Sequence, residues 1–64
     1  MKKAFDTIVR YIESCTILQQ IKPCERLLAQ YCVMYRLPEE DGSVIMLTEI
    51  LTQKETELYN NFTL

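Results

Sequence analysis

The side chains best suited to chemistry in this sequence are three thiols, Cys15, Cys24 and Cys32, separated by gaps of nine and eight residues. An odd count at this density argues against a secreted disulfide framework. A structural zinc site needs close pairs such as C-x-x-C, usually with histidine, and the chain contains no histidine. All three cysteines fall on apolar helical faces, where a thiol behaves as a small hydrophobe. Buried, reduced thiols in a reducing compartment are therefore expected. A thiol switch at Cys15, Cys24 or Cys32 is a weaker alternative, because the sequence places no evident base or cation beside any of them.

Without histidine the commonest general base is gone. Ser14 and Ser43 have no recognisable base to activate them, and one glycine, Gly42, cannot build a glycine-rich phosphate loop. The acidic run Glu39-Glu40-Asp41 lacks the alternating ligand spacing of a calcium loop and reads instead as loop and helix-start residues. The expectation is a non-enzymatic protein with no cofactor, no metal site and no catalytic residue.

Three elements must position these groups. At about 100° per residue, Ala4, Phe5, Ile8, Tyr11, Ile12, Cys15 and Leu18 share one helical face, predicting a first helix over about 3–20. Ile17 and Ile21 fall on its polar side, so its last turn should meet another element or a partner. Pro23 suits a first helical position, and a second helix over about 23–37 follows. Its apolar face holds Cys24, Leu27, Leu28, Tyr31, Cys32, Met34 and Tyr35, with Glu25 in the first turn and Arg36 in the last. A two-residue break between these helices predicts an antiparallel hairpin.

Pro38 opens the strongest loop signal, Pro-Glu-Glu-Asp-Gly-Ser. A third helix is predicted over about 43–60, capped by Asp41 or Ser43, with Val44, Leu47, Leu51, Leu58 and Phe62 in one stripe. Residues 44–51 are apolar nearly all round, so a short strand over 44–47 competes with the helix. Thr52 and Glu55 have capping-box spacing, which would allow a restart near Thr52. Glu55, the charged residue of the stripe, reads as a flanking group. The fold class is thus all-α: one domain over 1–64, a helical hairpin plus a third helix.

Sixty-four residues bury only roughly 60% of the surface of the unfolded chain, so the core benefits from a supplement. With disulfide and zinc disfavoured, a partner chain remains. No stretch approaches the ~20 apolar residues that span a bilayer, and Asp6, Arg10 and Glu13 interrupt any signal-peptide core behind Lys2 and Lys3. A cytoplasmic location is expected.

Charge is divided along the chain. Residues 1–36 carry six basic and three acidic groups, and residues 37–64 carry Lys54 against six acidic groups, giving +3 and −5. Two halves folded against each other account for this more simply than an acidic surface steering a basic partner. Basic groups are too dispersed, in a chain of pI about 4.9, for strong phosphate binding by a monomer. Helix 1 mixes acids and bases on its polar face, unlike a membrane-surface helix.

The case for a partner rests on excess. Apolar residues make up 48% of the chain, and a three-helix domain has one interior. Some of Ile17, Ile21, Val33, Ile45, Met46 and Ile50, the candidate interface, are expected to be left over, and exposed apolar clusters mark interfaces. The expected function is a protein–protein interaction module, a small regulator, inhibitor or adaptor subunit acting as a homodimer. The alternative is a small nucleic-acid-associated protein whose basic groups form a stripe only after dimerisation.

Overall fold

A computed structural model describes the backbone of residues 2–63 and the side chains of residues 2–60. The chain forms α1 (Lys2–Glu13), a 3-10 turn (Leu18–Gln20), α2 (Ile21–Met34) and α3 (Gly42–Thr63), with no strand among the described residues. Each helix packs against the other two. The amino end of α1 lies beside the carboxyl end of α2, and the amino end of α2 lies beside the carboxyl half of α3. The result is an up-down-up bundle, about 39 × 19 × 15 Å.

The first helix stops well short of residue 20, and the cause is local. Ser14 Oγ donates to Tyr11 O at 2.8 Å, and the Cys15 thiol lies 3.3 Å from the same carbonyl. These side chains offer the backbone a substitute for helical hydrogen bonds. Cys15 N bonds to Ile12 O, tightening the last turn, and Ile17 is fully extended at φ −137°, ψ 155°. Gln20 then reaches back, its Oε1 accepting from Thr16 N at 2.6 Å and Ile17 N at 3.4 Å, half of a capping box.

The chain re-enters helix at Ile21, two residues before the predicted start. Pro23 therefore occupies the third helical position, where the N–H it lacks would have had no helical partner. Glu25 consequently lies beyond the first turn. At the other end α2 finishes at Met34, and Arg36 lies outside it in the left-handed region at φ 52°. Arg36 N donates to Val33 O at 3.3 Å and Leu37 N to Cys32 O at 2.9 Å. These two bonds define a Schellman termination, followed at once by Pro38.

Asp41 starts α3. Its carbonyl accepts from Ile45 N at 2.9 Å, and its carboxylate accepts from the backbone N–H of Ser43 at 2.9 Å and Val44 at 3.3 Å. This cap settles 44–47 as helix rather than strand, and α3 continues unbroken past Thr52 and Asn60 to Thr63. The Phe62 side chain, assigned above to the apolar stripe, lies outside the described residues.

The core consists of Ile8, Ile12 and Cys15; Ile21, Cys24 and Tyr31; and Val44, Leu47, Leu51 and Leu58. Ile12 and Leu47 are wholly buried. Two residues predicted on the inward faces, Tyr11 of α1 and Met34 of α2, are instead exposed. At about 100° per residue each stands roughly 90° from the centre of its helix's buried set, at the margin of a stripe narrower than the apolar face of the sequence.

Candidate functional site

Of the six candidate interface side chains, four reach the surface: Ile17, Val33, Ile45 and Met46. Val33 is 78% exposed and stands on the outward side of α2. Ile45 and Met46 straddle the outward side of the first turns of α3. The other two are corrected. Ile21 is only 3% exposed and opens α2 as a core residue, and Ile50 is half-buried against the core. Ile21 seemed misplaced because it was read in the phase of a longer first helix, whereas the 3-10 turn resets the phase.

Tyr11, Met34 and Tyr59 join the exposed apolar set. Because α2 and α3 run antiparallel through a short loop, Val33 and Met34 at the end of α2 and Ile45 and Met46 at the start of α3 lie toward the same end of the bundle, on the surfaces of two different helices. Tyr11, Ile17 and Tyr59 lie toward the opposite end. The sequence offered a signal for Met34, since it lies at the margin of its helix's inward stripe.

A groove of about 450 Å³ runs between the start of α2 and the carboxyl half of α3, lined by Leu18, Ile21, Lys22, Glu25, Glu55, Thr56 and Tyr59. Glu55 is exposed there, outside the packed stripe. A second groove, about 260 Å³, separates α1 from α2 and includes Leu27, Tyr31, Met34 and Tyr35. The Tyr31 and Tyr35 rings pack at 5.3 Å, tilted by 58°. Both grooves are shallow and mainly apolar, with charge confined to Lys3 in one and to Lys22, Glu25 and Glu55 in the other.

Glu39 and Glu40 are exposed in the loop, whereas Asp41 turns back to its helix. Its carboxylate accepts from the Ser43 hydroxyl, which holds its pKa below the ordinary 3.8; burial opposes this, and the Val44 and Ser43 amides add lesser lowering effects. The Tyr31 hydroxyl donates to Ser43 Oγ at 3.0 Å, tying the end of α2 to this cap. No buried side-chain nitrogen or oxygen among the described residues lacks a hydrogen-bond partner. No group of three or more potential metal ligands occurs among them either, and no helix is long and apolar enough to cross a membrane.

The cysteines divide into a pair and a single residue. Cys15 and Cys24 are both buried, with their sulfurs 3.4 Å apart, and Cys32 is half-buried farther along α2. Burial, then the neighbouring Cys15 thiol, push the Cys24 thiol up to about 11. That is the reverse of an activated nucleophile.

The chain matches no protein-family model, no curated protein and no solved structure.

Proposed function

We propose that this chain is a non-enzymatic protein–protein interaction module that works as a homodimer, in the manner of a small regulator, inhibitor or adaptor subunit. The observation that supports the reading is the exposure of Val33, Met34, Ile45 and Met46, four large apolar side chains toward one end of a bundle already provided with a core. Full burial of such a side chain contributes about 1.5–3 kcal/mol, so covering several of them can outweigh the cost of association. Stable interfaces take about 800 Å² from each partner. Against a total surface of 5051 Å² this is roughly a sixth of the molecule, so the interface must extend from these residues along the sides of α2 and α3. Val33 and Met46 are the residues at which a new charge should weaken association most.

Sedimentation velocity on the parent chain and on Val33→Glu and Met46→Glu tests the reading, with Glu49→Gln as a control on the outward side of α3. The expected result is a dimer for the parent and the control, and folded monomers for the two apolar-to-charged variants. Dimers of unchanged strength in both variants would remove this surface from the account.

A further inference from the structure

We propose that Cys15 and Cys24 are a disulfide-forming pair that exchanges with small-molecule disulfides of the glutathione class and, once oxidised, clamps the link between α1 and α2. This goes beyond the interaction reading and does not depend on it. The two sulfurs lie 3.4 Å apart. A disulfide bond measures about 2.05 Å, so closure requires a movement of roughly 1.4 Å.

The fold puts that movement where it is easiest. Cys24 is fixed in the first turns of α2, but Cys15 lies after the end of α1, in the non-helical stretch before the 3-10 turn. The contacts at its sulfur besides Cys24 are to the carbonyls of Tyr11 at 3.3 Å and Gln20 at 3.6 Å. A small shift of this link loosens these weak thiol hydrogen bonds and part of the core packing around Cys15. Cys32 is excluded by distance, since eight residues of helix separate it from Cys24 by about 12 Å.

The chemistry balances without a metal. A thiolate of the pair attacks the external disulfide, giving a mixed disulfide and releasing one external thiol. The second cysteine, deprotonated, attacks the protein sulfur of the mixed disulfide and expels the other thiol. The protein dithiol loses two electrons and two protons, and one external disulfide becomes two thiols. Because both cysteines are buried and Cys24 resists ionisation, the first step proceeds through transient opening of the link. Exchange is therefore slow, and the pair responds to the prevailing thiol–disulfide balance rather than to brief oxidant pulses.

Linking residues 15 and 24 constrains the unfolded chain, and a loop of this size should raise Tm by roughly 10–20 °C. The same stabilisation requires the native fold to favour the bond by about 100-fold over the unfolded chain.

The test equilibrates the protein with graded mixtures of reduced and oxidised glutathione, in buffer and in concentrated urea. Acid quenching, alkylation and peptide mass mapping then locate the bond. The expected result is a folded protein whose chains each lack two hydrogens, joined within the chain from Cys15 to Cys24, with an equilibrium constant about 100-fold larger than in urea. Cys32→Ser should retain the bond and the rise in Tm, whereas Cys15→Ser and Cys24→Ser should lose both. Equal constants in buffer and urea, a bond involving Cys32, or an unchanged Tm in the oxidised Cys32→Ser protein would overturn the proposal.

Discussion

Replacing Arg36 with glycine should make this protein more stable, although the substitution deletes a long side chain and adds backbone freedom. Arg36 occupies the left-handed position of the turn that ends α2, at φ 52°, where it is the one residue of positive φ among those described. A side chain with a Cβ pays about 1–2 kcal/mol there. Glycine relieves that strain but returns about 0.4–1 kcal/mol through the greater entropy of the unfolded chain. Both terminating hydrogen bonds, Arg36 N to Val33 O and Leu37 N to Cys32 O, use backbone atoms and survive the change. The net gain is about 0.5–1 kcal/mol, or about 3–6 °C in Tm for a domain of this size. Arg36→Ala is the control: it keeps the strain, removes an exposed side chain, and should stay within about 0.5 kcal/mol of the parent. Thermal and urea unfolding followed by circular dichroism, at one fixed protein concentration, would measure both. A glycine variant no more stable than the alanine variant would refute the strain argument.

Three further perturbations follow from the packing and the α3 cap. Leu47→Ala empties a wholly buried site at the centre of the core and should cost about 2.7–5 kcal/mol. A chain of this length commands roughly 3–10 kcal/mol in total, so the same melts should show it largely unfolded or close to it; a loss of only a few degrees would contradict the packing. Tyr31→Phe removes the hydroxyl that donates to Ser43 and should cost about 0.5–1.5 kcal/mol in urea unfolding, with no effect counting against that link. Asp41 titrates below its ordinary 3.8 in the folded state, so its contribution is complete above that value and is lost as pH falls through the lower folded value. Asp41→Asn keeps a good cap without the titration; its Tm should fall less steeply with acidification below about pH 4, and parallel profiles would show that the cap does not depend on charge.

The helix count and most of the core were legible from apolar periodicity; helix over 44–51 was favoured by the unbroken pattern that follows it, and the cap was narrowed to Asp41 or Ser43. The break between α1 and α2 was not legible, because proline drew attention to residue 23 while the actual stop uses Ser14, Cys15 and an extended Ile17, none a strong breaker alone. The signal was present as a phase error: Ile17 and Ile21 do not fit the apolar face of α1. Reading that misfit as a helix end would have placed Ile21 in the core. Arg36 was similarly assigned to the last turn by its charge, whereas Pro38 two residues later already suggests a terminating turn. The exposed residues Val33, Ile45 and Met46 could be picked out because each departs from its own helix's inward stripe. The Cys15–Cys24 approach required the path of the link, which spacing alone does not give.

The homodimer proposed above joins two chains through the exposed apolar end of the bundle. Light scattering across a hundredfold range of protein concentration, repeated at high salt, tests it most directly. Association through this surface should give a mass twice the 7.6 kDa of one chain over most of that range, undiminished by salt because burial of apolar surface is not screened. A mass of 7.6 kDa at every concentration would contradict it.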